Sequence, residues 1–442
     1  LTSLATRRAG AITNYEDTVT RLGGGLPQQG TDALAVVEQL ASVLGPATVA
    51  SAGPRYFGLV VGGSLPAALC ADWLVSAWDQ TAYSRVSSPA GAAIEEVAER
   101  WVIEALGLPA TAAVGFVTGA TAGNLVGLLA ARHTLLARRG WAVEEDGLFN
   151  APPVRVLVGE EVHPSVLSAL RISGLGAARV ERVPVDDQGA MRAESLEVML
   201  ATNVEPVVVC AQVGNVNSGS CDPIAQIVNL THACDGWVHV DGAFGLWAAA
   251  SPQYRGLVAG VERADSWATD AHKWLNVPYD CGLAIVAEPN ATKAALHAST
   301  SYLTSSDGRE PGDHVLEMSR RARAVPVYAA LRSLGREGLS KLVEDCCHHA
   351  RRLAATMAAV EGVTVLNAVV LNQVLLRFID DATTYRVIDQ VQRGGEVWLG
   401  PTVWRGKAAA RVSFSNWSTN EADVDRLSAV LTHSLAEVEP ES

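Results

Sequence analysis

Between residues 154 and 286, short β-branched runs alternate with stretches of helical period, and this alternation restricts the fold more than any other feature of the chain. The strand-like runs are Val154–Val158, Val180–Val183, Val207–Val213, Trp237–Val240 and Leu283–Val286. Helical patterns fall between them at Pro164–Ile172, Ala193–Ala201 and Pro223–Cys234. Strand, helix, strand in succession is what a mostly parallel sheet with helical crossovers requires, so the fold class is α/β. Ligands of such sheets bind in the crevice beyond the carboxyl ends of the strands. No GxGxxG follows the first strand, which argues against a dinucleotide there.

One of those strand ends carries chemistry. Val238–Val240 leads straight into Asp241-Gly242, which sets a carboxylate at the tip of a buried strand. About thirty residues later His272-Lys273 lies between polar Thr269-Asp270 and apolar Trp274-Leu275. A lysine there is poorly solvated; it loses its proton easily, and a neutral amine condenses with an aldehyde. Alone, the Asp reads as a cap and the Lys as a surface charge. Together they are the acid and the amine that pyridoxal phosphate needs, one facing a pyridine nitrogen and one forming an imine. The small residues of Gly115–Asn124, followed by an apolar helix from Leu125 to about Ala137, make an anion seat from backbone N–H groups and a helix start.

The segments HVDGAFG, DAHKW and SRRARAV resemble the pyridoxal-phosphate group II amino-acid decarboxylases, relatives of DOPA and glutamate decarboxylase, and the likeness runs from about Pro54 into the C-terminal region. It implies the fold-type-I architecture: a large domain with a mostly parallel seven-stranded sheet and a small C-terminal α+β domain. The corresponding division is residues 1–50 as an N-terminal helical segment that wraps a partner, 51–324 as the cofactor domain and 325–442 as the small domain. By resemblance, Lys273 forms the internal aldimine, Asp241 pairs with the pyridinium nitrogen, Ala243 packs under the ring and His163 stacks on it. Gly119, Ala120, Thr121, Ala122 and His272 would meet the phosphate, and Asn215 would supply a donor near the phenolic oxygen. Arg411, in AARVSFSNW, matches the arginine that holds a substrate α-carboxylate, a task suited to a planar fork of donors. Tyr56 and Phe57 would line the substrate mouth.

The stretch Ser301–Val325 reads as a mobile loop near the site, and between Leu303 and Arg320 it lacks the tyrosine that DOPA-type enzymes use as a proton donor. His314 is the remaining candidate acid. Of Arg320, Arg321 and Arg323, at least one should have a buried ion-pair or phosphate partner. The implied reaction is decarboxylation of an L-amino acid, with an aromatic or apolar side chain hinted at by Tyr56 and Phe57. Its rivals are an oxygen-coupled aldehyde synthase, suggested by the missing tyrosine, and an aldehyde-lyase, because lyases of this group share Asp270 in Asp-x-His-Lys. An aminotransferase or a non-catalytic homologue is a weaker alternative.

Bulk properties limit the partners. A net charge of −13 excludes a broad basic face for nucleic acid. Seven scattered cysteines form no CxxC pair, which fits reduced thiols in a cytoplasm and no metal site; Cys346-Cys347-His348-His349 is in a helical pattern that points neighbours apart. The most apolar window, Leu59–Trp78, is broken by Gly62-Gly63, Pro66 and Asp72 and reads as a loop entering a helix, not a membrane span. Residues Thr31–Leu44 form an amphipathic helix, and the family likeness implies a homodimer with the site at the subunit interface.

Overall fold

The computed structural model describes residues 3–202, 204–297 and 308–438. Seven strands form the large sheet: β1 (Ala113–Val117), β2 (Arg155–Gly159), β3 (Glu181–Val183), β4 (Val207–Gln212), β5 (Trp237–Asp241), β6 (Ser266–Asp270) and β7 (Gly282–Val286). Their spatial order is β1-β7-β6-β5-β4-β2-β3. β7 is antiparallel to both neighbours, while the pairings from β6 through to β3 are parallel. The carboxyl ends of β1, β2, β4, β5 and β6 therefore open on one edge.

Period-two geometry explains the unbroken apolar runs. In β4, Val207, Val209 and Ala211 enter one core and Val208 and Cys210 the other. The first core receives Ala98, Val102 and Leu106 from helix Pro89–Leu106 and Ile227 and Val228 from helix Ile224–His232. The second receives Leu128, Ala131 and Leu135 from helix Ala120–Ala137 and Val166 and Leu170 from helix Pro164–Ile172. The helix opening at Ser88-Pro89 and closing at Gly107 has the ends its sequence suggests: the Ser88 side chain accepts from Gly91 N–H, and Gly107 adopts φ 64°.

Two strands were hidden from the pattern. β1 runs into the glycine-rich turn, so its last residues read as loop. β6, Ser-Trp-Ala-Thr-Asp, is fully buried but largely polar. Its polar groups are satisfied from neighbours: Ser266 Oγ accepts from Trp237 Nε1 at 2.9 Å, and Thr269 Oγ1 lies 3.4 Å from the Ala243 carbonyl.

A second, antiparallel sheet holds β8 (Val363–Val365), β9 (Gln373–Phe378), β10 (Gly400–Trp404) and β11 (Lys407–Ser413) in the order β10-β11-β9-β8. Helix Ala324–Ala358, kinked at Gly335, leads from the first sheet to this one. Cys346, Cys347 and His349 are buried in that helix, and no group of three or more possible metal ligands exists among the described residues. At the other end of the chain, helix Ala33–Leu44 buries only Val43; Leu34, Val37 and Leu40 face outward. Among the described residues no helix is long and apolar enough to cross a membrane.

Of the stretch Ser301–Val325 expected to be a mobile loop, residues 301–307 lie outside the described residues, and Arg309 and Arg320 tie the segment after them to β1 and helix Pro89–Leu106. Arg320 is the buried cation of the three, 2.6 Å from fully buried Glu95; Arg321 reaches Asp72 and Arg323 reaches Asp280. Arg309 adds contacts to Glu95 and Glu99. Arg320→Met should cost about 3–5 kcal/mol, because it leaves the fully buried Glu95 carboxylate with only the longer contact to Arg309 at 3.4 Å among the described residues. Chemical denaturation would measure this, and adding Glu95→Leu should recover most of the loss.

Candidate active site

The strand ends deliver the site side by side. From β5 comes Asp241, from β6 Asp270 and then His272 and Lys273, from β1 the Gly119–Thr121 turn, and from β2 His163. These residues, with Ser165, Gln212, Gly214, Val216, Ala243 and Phe244, line a cleft of about 200 Å³. Glycine is needed where backbones touch. A Cβ on Gly282 would sit 2.5 Å from Gly119 Cα, so only glycine lets the turn lie flat on β7.

Asp241 is buried, and burial pushes its carboxyl up while His163 and Lys273 pull it down. Ala243 N–H donates to Oδ1 at 3.2 Å; Asn124 Nδ2 (3.4 Å) and Ser165 Oγ (3.5 Å) face Oδ2 at longer range. A chain of donors stands behind it. Trp237 Nε1 donates to Ser266 Oγ, whose hydroxyl is left to donate to His239 Nδ1 at 2.8 Å. His239 is fully buried and neutral, its pKa pushed down to about 3 by burial, so Nε2–H donates to Asn124 Oδ1 at 2.9 Å. That bond turns the Asn124 amide nitrogen toward Asp241. Each member hands a donor to the next, and the last, the Asn124 amide, faces Asp241 Oδ2, which favours the carboxylate form against the burial that raises its pKa.

His163 caps helix Pro164–Ile172 with Nδ1, which accepts from Ser165 N–H at 3.2 Å. Burial holds the imidazole below its ordinary pKa, so it is a flat, neutral wall of the cleft. Lys273 Nζ lies 3.1 Å from Asp270 Oδ2, and Ala120 N–H donates to Asp270 Oδ1 at 2.6 Å. Cys281 N–H donates to His272 Nδ1, leaving Nε2–H facing Asp270 Oδ1 at 3.6 Å. Tyr279 stacks on His272 with ring centres 4.3 Å apart. The Lys273 turn is tied to distant segments through buried Asn276. Its Oδ1 accepts from Gly63 N–H and Trp417 N–H, and its Nδ2 donates to the Trp274 and Ser415 carbonyls.

Arg411 rises from β11 near enough to His163 to depress its pKa. Burial lowers its own, and it has no hydrogen-bond or ion-pair partner among the described residues. A half-buried guanidinium left unpaired in this way is suited to an incoming carboxylate.

Four expectations need correction. His314 is buried against β1, its carbonyl packed on Gly115, and is not among the residues that line the cleft. The helical turn Pro311–His314 that the Arg309 contacts hold down carries it there. Phe57 is core, tilted against Phe414 at 5.2 Å, and Tyr56 is buried too, stacked on Trp398; neither is among the residues that line the cleft, although Tyr56 is close enough to Tyr279 to influence its ionisation. Asn215 spends its carbonyl oxygen on Asn217 and Ser218 N–H, shaping the turn, and Gln212 faces the cleft instead. Ala122 packs beside Val117 and Val126, on the side of the helix away from the cleft lining. Sequence reading also missed Ser165, Gln212 and the Asn124–His239 pair; a histidine inside the HVD strand was the available signal for the last.

The cleft fits pyridoxal phosphate by the chemistry of its donors: a buried carboxylate fed only by long hydrogen bonds, a lysine amine, a flat imidazole and a helix start. A model of the pyridoxal-dependent decarboxylase conserved domain matches residues 17–379. The chain belongs to that family. It is a pyridoxal-phosphate-dependent carboxy-lyase. Tryptophan decarboxylase 2 of Oryza sativa subsp. japonica is 26% identical, over 84% of this chain and 78% of its own. L-2,4-diaminobutyrate decarboxylase of Acinetobacter baumannii is 28% identical, over 84% and 77%. A crystal structure of Oryza sativa TDC with PLP and tryptamine superposes with a TM-score of 0.91 at 21% identity, covering 99% of this chain and 94% of that one, which establishes the fold-type-I architecture.

Proposed function

We propose that this decarboxylase acts on an L-amino acid with an aromatic or apolar side chain, releasing CO₂ and the amine. The observation that carries the reading is the half-buried Arg411, without a partner among the described residues and near enough to His163 to affect its ionisation, next to a cleft lined by Asp241 and Lys273. Bound there, pyridoxal phosphate supplies an aldehyde that condenses with amines and a ring that accepts the electron pair left when CO₂ departs.

The chain's residues divide the remaining work. Asp241 holds a proton on the ring nitrogen, where positive charge is needed. His163 provides the flat face that fixes the ring plane, and Ala243 is small enough to let the ring lie close from the other side. Lys273 Nζ binds the cofactor between turnovers and is the nearest amine to carry a proton back to carbon. Arg411 orients the substrate through its carboxylate, and exposed Tyr279, stacked on the cleft residue His272, gives the mouth an aromatic edge. A homodimer in the cytoplasm, with the site at the subunit interface, completes the reading; the outward apolar residues Leu34, Val37 and Leu40 support a partner subunit.

Arg411→Met should raise KM about 10- to 100-fold with a smaller change in kcat, since a charge-assisted pair of hydrogen bonds is lost. Steady-state kinetics on the preferred amino acid would show it. The function itself is tested by a product balance on purified protein with added pyridoxal phosphate and a pool of L-amino acids, with and without oxygen. Equal CO₂ and amine, independent of oxygen and greatest for aromatic or apolar substrates, is expected. Oxygen-dependent ammonia and peroxide in place of amine would overturn the reading in favour of aldehyde formation.

A further inference from the structure

Asp270 stands where an anion from a ligand would bind. The first N–H groups of helix Ala120–Ala137 have no acceptor within the helix and attract negative charge. One of them, Ala120 N–H, is already taken at 2.6 Å by Asp270 Oδ1, while Oδ2 lies 3.1 Å from Lys273 Nζ. The carboxylate is 3% exposed, so water and salt screen it poorly. The groups that face it are the Lys273 ammonium, neutral His272, the Tyr279 phenol and, farther off, the Asp241 carboxylate.

We propose that Asp270 is an internal anion that discriminates against the phosphate of the cofactor: in the cofactor-free chain it fills the helix N-terminus and pairs with Lys273, and on loading it opposes the phosphate group specifically. The proposal rests on pyridoxal phosphate being the cofactor of this cleft. A phosphate at the Gly119–Thr121 turn needs the same N–H groups and brings negative charge against a buried carboxylate. Asp270 must then give up Ala120 N–H or tolerate a like charge at close range, and either weakens retention. The part of the cofactor that usually secures binding is thus the part this chain holds least firmly, and occupancy follows cofactor supply.

Asp270→Asn separates this role from the positioning of Lys273. Its amide oxygen can still accept from Ala120 N–H, and its N–H₂ can donate to phosphate. Loss of the Lys273 contact affects pyridoxal and pyridoxal phosphate equally, so the ratio of their affinities isolates the phosphate. The experiment titrates cofactor-free wild type, Asp270→Asn and Asp270→Ser with each compound, following tryptophan fluorescence, since Trp274 adjoins Lys273. Circular dichroism establishes that each variant is folded, and the serine variant serves if the asparagine one is not.

The preference for pyridoxal phosphate over pyridoxal should rise about tenfold or more in the variants. An unchanged or smaller preference would overturn the proposal and leave Asp270 as a partner of Lys273 alone. Failure of both compounds to bind folded wild type and variants would overturn it together with the cofactor reading.

Discussion

Lys273→Ala should lose at least about a thousandfold in turnover and keep its fold. The lysine side chain is about one-fifth exposed, and its only ion-pair partner among the described residues, Asp270, retains the Ala120 N–H bond when the ammonium goes. Removing it therefore strands no buried charge without a donor. What disappears is the amine that joins the cofactor to the chain and stands nearest to return a proton to carbon. Borohydride reduction followed by peptide mass spectrometry should find the cofactor fixed to the Lys273 peptide of wild type and to no peptide of the variant. A variant that turns over at the wild-type rate would show that the catalytic amine lies elsewhere.

Asp241→Asn should lower kcat by about 100- to 1,000-fold with little change in KM. An amide has one acceptor where the carboxylate has two. Asp241 meets Ala243 N–H on one oxygen and Asn124 Nδ2 on the other, so either orientation of asparagine sets a donor against a donor. The donor chain from Trp237 through Ser266, His239 and Asn124 is then pointed at a group that cannot hold a proton on the ring nitrogen. Steady-state kinetics would give the split between kcat and KM. A fall confined to KM would mean that Asp241 only binds, and the electron-sink assignment would be lost.

How much of this was legible in the sequence depends on what each residue does. β2, β4 and β5 are read easily because both of their faces are apolar, and their helices follow the 3.6-residue period. β6 is not, since Ser266, Thr269 and Asp270 are polar residues whose partners come from other strands and loops. Asp241 and Lys273 stood out as a pair because their residue types have a joint chemical meaning at a strand end and a tight turn. His314 and Phe57 misled for the opposite reason: a loop histidine and an entry aromatic have chemistry by type, but packing against Gly115 and Phe414 decides where they point. Asn215 was read for its side-chain donor, but its Oδ1 shapes the turn and its Nδ2 donates to Gln212 Oε1. The Asn124–His239 contact and the bond from Ala120 N–H to Asp270 join residues more than a hundred positions apart, so local pattern cannot reveal them.

The buried Asn276 has a mechanical consequence. Its side chain knots the Lys273 turn to the Gly63 strand of chain on one side and to Ser415–Trp417, just past β11, on the other. The segment that carries Arg411 is thereby bolted to the segment that carries the lysine. A clamshell motion of the second sheet against the Lys273 turn would have to break these bonds together. At the rim, Tyr279 is 58% exposed and rests its ring on His272, so its side chain rather than the backbone is what a substrate meets there.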